Sequence, residues 1–591
     1  MISVLSERET IGHRFHPRLK PLCAAVMAFG SLTLTSAPAL ALEFEVGSDI
    51  EGSLEVSASY SAGWRMEDRD ESILNPNNDD GDRAFGDKGQ MTSSLFKVVY
   101  DLGLKKQIGA DSTIGIFNRG MGFYDSQIKS AENHHNSPFS NSGNAFFGGS
   151  LDELDRFTEA TQDRAGAEAK WLDAYIYFNG QQSTQNAYTI RAGSQVINWG
   201  ESLFIQSGIS NAVNPADVTQ ANLPGTEVKE ILLPQRALYG SLSMTDNLSI
   251  EGYYQWQWEH TIAPPVGTFL STNDFIAEDG GETLLLPAPP AGPPGVVLAG
   301  TLYTRGDNID ASDSGQYGLA LRWFAEALND TELGFYRVNY HSKLPSLALA
   351  GTPAAVAVAP SMAILPPAVG PGTYHIEYFD DISLTGVSFN TVLFDIAFSG
   401  EIAYHQDFPL QTIAVGSTAI GQAAALGGSP LSLSTQEDLV IAQLTVNHSF
   451  NTTPFIGDLA NDVGLLVEFG YVHTPDLEDG EVFRGPTPVD SDAWGFKSRL
   501  MLTYYDKLGK ISPALSGTDL IVGFLYNHDV DGTSVIPAGS FTEGAKSAAI
   551  SVLASWHSTI ELELRYNAFF GDDASGLTDR DNATLTFKYR F

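Results

Sequence analysis

A single cysteine, Cys23, occurs in the 591 residues. It lies in the amino-terminal stretch discussed below, so the remainder has no thiol, and disulfides, thiolate metal sites and cysteine nucleophiles are excluded there. Basic residues are scarce as well. Lys and Arg number 33 against 71 Asp and Glu, a formal net charge of −38, which argues against nucleic acid and against an anionic surface as partners. After residue 41 no apolar run reaches the roughly eighteen residues that a helical membrane span needs. Yet aromatics make up 11% and mean hydropathy is −0.07, so the chain is not a solvated, disordered acid.

What the sequence has is alternation. From Leu54 to Met66, Leu54, Val56, Ala58, Tyr60, Ala62, Trp64 and Met66 alternate with Glu55, Ser57, Ser59, Ser61, Gly63 and Arg65. Leu248, Ile250, Gly252, Tyr254, Trp256 and Trp258 face away from Ser249, Glu251, Tyr253, Gln255, Gln257 and Glu259, with the aromatics at one end, as an interfacial girdle requires. Ile560, Leu562, Leu564 and Tyr566 alternate with Glu561, Glu563, Arg565 and Asn567, and a charge at every second position has to face water. A period of two marks strands with one apolar face. Eighteen segments follow the pattern: 53–66, 91–103, 112–124, 171–180, 186–197, 236–245, 247–259, 315–325, 330–341, 381–390, 392–405, 437–449, 463–473, 494–505, 517–528, 546–557, 559–569 and 581–591. The alternation is imperfect at 330–341 and 437–449, which leaves sixteen strands as the alternative.

Connections between these segments are alternately short and long. That rhythm predicts a transmembrane antiparallel up-and-down β-barrel, with short periplasmic turns and long extracellular loops, some folded into the lumen. A soluble sandwich or propeller would alternate too, but would lack the long-short rhythm. Both ends of the chain fit export to an outer membrane. Arg14, Arg18 and Lys20 precede an apolar stretch from Leu22 to about Thr35, followed by Ala37-Pro38-Ala39-Leu40-Ala41, which reads as a signal peptide over 1–41 cleaved near Ala41. The barrel then covers 42–591. In the last ten residues Ala583, Leu585, Phe587, Tyr589 and Phe591 alternate with polar residues, and Phe591 is expected to serve as the assembly signal read by the barrel assembly machinery.

Arg119-Gly120 with Phe123-Tyr124-Asp125, Gly208-Ile209, Gly400-Glu401, His528-Asp529-Val530 and Asp579-Arg580-Asp581, together with further runs taken in order, resemble the proteobacterial outer-membrane proteins grouped as domain-of-unknown-function family 1302. The further runs include Asn78-Asp79-Asp80-Gly81-Asp82-Arg83, Asp163-Arg164-Ala165-Gly166, Leu172-Asp173-Ala174-Tyr175, and Arg191-Ala192-Gly193-Ser194-Gln195-Val196-Ile197-Asn198-Trp199-Gly200-Glu201-Ser202. Asn214-Pro215-Ala216-Asp217, Pro224-Gly225-Thr226-Glu227-Val228-Lys229-Glu230 and Phe541-Thr542-Glu543-Gly544 continue the match. The resemblance implies traffic of hydrophobic molecules, with a periplasmic lipid carrier as a partner.

The segment 198–235 carries the richest set of candidate residues. It follows a strand with inward Arg191 and Gln195 and places Trp199, Glu201, Asn214, Asp217, Glu227, Lys229 and Glu230 among turn-forming Gly and Pro. Mixed charge in so long a loop suggests that it folds into the lumen as a constriction, the alternative being an external lid. Lumen-facing wall charges are expected at Glu251, Arg322, Glu401, Glu468, Lys497, Arg499, Glu561, Glu563 and Arg565, either open to solute or paired with loops. The apolar, Pro-rich stretches 284–303 and 344–370 are expected to be irregular, buried in the mouth or receiving an apolar ligand. Asp79, Asp80 and Asp82 with Glu67, Asp68, Asp70 and Glu71 make an acidic loop; pairing with Arg69 and Arg83 competes with cation binding.

No metal site and no cofactor are expected. There is no Gly-x-Ser-x-Gly elbow, no His-Glu-x-x-His and no phosphate loop, and the histidines, His405 among them, stand apart from any Ser-plus-acid setting, so no enzyme is expected. His405, near Glu401, suggests a lumen hydrogen bond. The leading expectation is a passive channel for hydrophobic or amphipathic compounds of the lipid, sterol or aromatic class. A general or cation-preferring diffusion porin is the alternative, and an adhesion or assembly barrel a third. Outer-membrane lipids and lipopolysaccharide are the expected surroundings.

Overall fold

The computed structural model describes residues 42–591 except 75–79, 131–156, 182–185, 279–282, 288–296, 352–353, 359–363, 369–371, 414–425, 427, 451–454, 457–458, 479–481, 485–486 and 538–540. The expected signal peptide and Asp79 lie outside the described residues.

Eighteen antiparallel strands close on themselves. They are β1 (Ile50–Arg65), β2 (Met91–Gln107), β3 (Ser112–Asp125), β4 (Ala167–Gln181), β5 (Ala187–Gln195), β6 (Gln235–Thr245), β7 (Leu248–Gln255), β8 (Gln316–Ala325) and β9 (Thr331–Tyr340). Then come β10 (Ile382–Leu393), β11 (Ile396–Leu410), β12 (Thr435–Ser449), β13 (Asp462–His473), β14 (Asp492–Tyr504), β15 (Thr518–Asp531), β16 (Lys546–Trp556), β17 (Ile560–Phe570) and β18 (Asn582–Arg590). Each pairs with its sequence neighbours, and β18 pairs with β1 from Ser57↔Arg590 to Arg65↔Asn582, which removes every free edge from the wall. The short strand Leu42–Val46 folds back on β1 at Leu42↔Leu54 to Val46↔Ile50, beyond the reach of β18.

All eighteen expected strands are present, including those at 330–341 and 437–449. Their ends differ in places. The turn expected at 391 lies at Phe394 and Asp395, both at positive φ, because β10 and β11 pair as far as Leu393↔Ile396. Two successive left-handed residues match the twist of a tight hairpin.

Side-chain direction is inverted relative to a soluble protein. On β18 Leu585 and Phe587 are 39% and 46% exposed, while Thr586 and Lys588 are 5% and 8% exposed. The same sense holds for outward Ile402, Phe469, Phe524, Ile550, Leu562 and Leu564. Tyr124, Trp171, Tyr254, Tyr317, Tyr471 and Trp494 are exposed near the long-loop ends of their strands, at girdle level. An apolar exterior over a polar interior is what a lipid surrounding stabilises. None of the described helices is long and apolar enough to cross a membrane, so crossing falls to the strands.

Trp258 departs from the expected girdle. The strand ends at Gln255, and Trp258 is buried in the loop region, its ring centroid 4.8 Å from that of Tyr378 and its Nε1 donating to the Ser342 carbonyl at 3.0 Å.

The stretches expected to be irregular also differ. They form a second, seven-stranded sheet from Thr283–Pro287, Val297–Arg305, Ser346–Ala350, Ala354–Val358, Ile364–Ala368, Thr373–Glu377 and Leu431–Ser432. Leu284, Tyr303, Leu347, Leu349, Tyr374 and Ile376 bury against Trp258, Tyr378 and Leu433. The prolines are accommodated at the edge. Ile364–Ala368 is the outermost strand, pairing through Ile364, Leu365 and Ala368, so Pro366 and Pro367 forgo no ladder bond.

Candidate functional site

Between β5 and β6 the chain leaves the wall and turns inward. Gln195 holds the departure, its Nε2 donating to the Ala237 carbonyl at 2.8 Å, and Asn214 ties Ile197 from both sides, accepting from its N–H (3.1 Å) and donating to its carbonyl (2.8 Å). Three short helices follow, Ile209–Val213, Val218–Ala221 and Val228–Ile231. Asp217 caps the second by accepting from Gln220 N–H at 3.1 Å, and Glu227 with Glu230 makes a capping box on the third. Gly200 sits at φ +87°, and a Cβ there would lie 2.5 Å from Glu401 Oε2, so the close approach to the wall requires glycine.

Wall carboxylates grip the backbone of this loop. Glu468 on β13 accepts from the N–H groups of Leu203 (2.8 Å), Phe204 (3.0 Å) and Ile205 (2.8 Å). Glu401 on β11 accepts from Glu201 (2.5 Å) and Ile209 (2.8 Å). Lys497 Nζ donates to the Phe204 carbonyl (3.0 Å) and Gln443 Nε2 to that of Ile205 (3.1 Å). Further round, Glu251 on β7 accepts from Trp199 Nε1 (2.7 Å), Tyr239 Oη (2.9 Å) and Arg322 Nε (2.8 Å). A loop pulled out of water needs such partners for its backbone donors, and carboxylates bind them more strongly than neutral acceptors.

The far end of the loop is held by ion pairs. Lys97 on β2 bonds Glu230, and its Nζ also donates to Thr226 Oγ1 at 3.1 Å. Glu227 pairs with Lys588 (2.6 Å) and Arg590 (3.2 Å) on β18 and with Lys229 (3.3 Å). Burial alone would raise the Glu227 carboxyl; the hydrogen bond and charge of Lys588, with Lys229 and Arg590, outweigh it and hold it at about 2. Lys170 on β4 pairs with Asp217 at 2.6 Å. Arg119 joins Asp101 (2.7 Å) to Asp173 (3.2 Å), and Arg191 stacks over Tyr239 at 4.3 Å. The loop thus touches β1, β2, β4, β7 to β14 and β18, crossing the interior from one wall to the other.

Beyond Glu468 and Lys497, one arc of wall remains clear of it. Pairing register puts Leu466, Arg499, Leu525, Ala549 and Asn567 in one inward row across β13 to β17. Met501, Gly523, Ser551 and Arg565 form the next, and Ile521, Leu553 and Glu563 the one after. The loop itself leaves Leu203 58% exposed and Val228 71% exposed. Water-facing leucine and valine inside a polar barrel are out of place unless something apolar passes them.

The family described as protein of unknown function (DUF1302) matches residues 22–591. The chain belongs to that family. No curated protein matches it. Among solved structures it is similar to Acinetobacter baumannii OccAB1 (TM-score 0.41, 10% identity, 94% of this chain and 99% of that one). It is also similar to Pseudomonas aeruginosa OccK2 (OpdF) in complex with glucuronate (0.37, 10%, 91% and 98%) and to the outer membrane channel DcaP of A. baumannii (0.33, 8%, 93% and 100%). At these TM-scores the likeness bears on no residue of the DUF1302 barrel.

Of the residues singled out in sequence, Gln195, Trp199, Asn214, Asp217 and Glu230 are buried and occupied in holding the loop, while Glu201, Glu227 and Lys229 are half-buried. Glu251, Arg322, Glu401, Glu468 and Lys497 on the wall engage the loop; Arg499, Glu563 and Arg565 do not, and Glu561 bonds Arg590. His405 bonds Tyr340 Oη (2.7 Å) and the Ser207 carbonyl (3.1 Å). In the acidic loop Asp82 pairs with Arg65 (2.6 Å) and Glu71 with Arg69 (2.5 Å), and among the described residues no group of three or more side chains is placed to hold a metal. Sequence reasoning missed Lys97, Lys170, Lys588 and Arg590. Each sits at an inward position of its strand, Lys97 between Phe96 and Val98, which is the signal that marked the other wall charges.

Proposed function

We propose that this DUF1302 barrel is a passive outer-membrane passage for hydrophobic or amphipathic compounds of the lipid, sterol or aromatic class. The observation that carries the reading is an interior of mixed polarity: exposed Leu203 and Val228 on the loop and inward Leu466, Leu525 and Leu553 on the wall, with Arg499 in the row of Leu466 and Leu525 and Glu563 in that of Leu553. Apolar lining lets an apolar body travel without stripping against charge alone, and the neighbouring polar groups serve a head group.

The test places the purified barrel in vesicles whose outer leaflet is lipopolysaccharide, a barrier to the hydrophobic dye N-phenyl-1-naphthylamine. Dye entry several-fold faster than in barrel-free vesicles, with small single-channel conductance, is the expected result. Large, steady ionic conductance with unchanged dye entry would overturn the reading in favour of a general porin.

A further inference from the structure

Two guanidinium groups on the clear arc form no ion pair among the described residues. Arg499 is exposed within the barrel and, among the described residues, forms no ion pair or hydrogen bond. Arg565 donates through Nε to Asn567 Oδ1 at 2.8 Å and, among the described residues, makes no ion pair, Glu563 acting on it by charge alone. Elsewhere around the loop Lys97, Lys170, Lys588, Arg590, Arg119 and Arg322 each face an acidic side chain. In a chain of net charge −38 such unspent cations stand out.

The wall is shaped to let the two meet. They stand on β14 and β17, in adjacent inward rows, and the inward residues between them on β15 and β16 include Gly523, Ala549 and Ser551. These small residues leave the space between the two guanidiniums open, with Leu525 beside Arg499. Glu563, two residues before Arg565, faces the same space and makes no ion pair with either. Leu525 shares the row of Arg499, and Leu553 and Ile521 lie one row past Arg565.

We propose that Arg499 and Arg565 together form a binding site for the carboxylate of an amphipathic acid, whose apolar body lies along Leu525, Leu553 and the loop's Leu203. This rests on the passage reading and narrows its substrate class. Two guanidiniums reaching inward from strands three apart can take the two oxygens of one carboxylate between them. A cation would be rejected, and a neutral isostere would forfeit the charge-assisted bonds.

The test is calorimetric titration of the barrel in nanodiscs at pH 7 with 4-butylbenzoate and with 4-butylbenzamide, empty nanodiscs serving as blank. Saturable binding of the acid, with the amide weaker, is expected. Arg499→Gln and Arg565→Gln should each weaken the acid by about tenfold, the loss of a charge-assisted interaction, without moving the amide. Arg499→Lys should recover part of the loss. Equal affinity for acid and amide in the wild type, a comparison that needs no variant to fold, would overturn the site, as would an unchanged double variant. Arginine-dependent binding without dye entry into vesicles would leave the site standing and remove the passage; the reverse pattern would do the opposite.

Discussion

At the scale of single residues, the loop across the lumen depends on a few carboxylates that bind backbone rather than side chains. Glu468 takes three successive N–H groups, and Glu468→Gln replaces a charged double acceptor by one oxygen and an amide that opposes the remaining donors. Hydrogen bonds to charged groups contribute about 1.5–3 kcal/mol, so exchange of the Leu203, Phe204 and Ile205 amides should quicken by roughly tenfold or more. Hydrogen exchange read by mass spectrometry checks this, and unchanged protection would show the loop held from elsewhere. Glu227 makes the grip depend on pH. Its carboxyl is depressed to about 2 in the folded chain against an ordinary 4.5. A depressed acid contributes stability that is fully present above its unfolded pKa and is lost as pH falls through the folded one. The segment Val228–Ile231 should therefore stay protected at pH 5 and loosen between about 4 and 2. Glu227→Gln has already lost the contribution at pH 7, so its exchange should vary less across that window; an identical pH profile would assign the pairing with Lys588 no part in holding the loop.

Elements were legible in the sequence to the degree that one face of each meets lipid. The eighteen strands alternate because every second residue is solvated by acyl chains, and even β9 and β12, with broken alternation, follow from the rhythm of the loops. The second sheet was not legible. Leu284-Leu285-Leu286 and Ile364-Leu365-Pro366-Pro367 lack a two-residue period, and prolines argue against strands unless an edge is free to take them. The anchoring of the loop was half legible. Inward Glu401 and Glu468 could be read from parity, but their partners lie about two hundred residues and more away and offer only N–H groups, which every residue has. The loop itself was visible as mixed charge among Gly and Pro. Deleting residues 203–233 removes the element that Glu468, Lys97 and Lys588 hold, and single-channel conductance should rise several-fold as the interior opens. An unchanged conductance would mean that ions already bypass the loop along the clear arc.

On the scale of the whole molecule, the barrel is a closed surface whose two faces need opposite solvents, and each strand enforces that division by parity alone. Leu564 on β17 faces outward near the middle of the wall, whereas Ser555 on β16, paired with Glu561, faces inward. A charged residue on the lipid face near the bilayer midplane costs about 2–4 kcal/mol, while one in the lumen keeps its water. Leu564→Arg should lower the folded fraction, seen as loss of the compact, heat-modifiable band after refolding into vesicles, and shift urea unfolding to lower concentration. Ser555→Arg, the same charge placed one strand away on the other face, should leave both unchanged. Should the two substitutions cost alike, the exterior would not be meeting lipid, and a passage through the interior would lose its membrane. The asymmetry between them reads out the inversion, because the charge introduced is the same and the two faces meet different solvents.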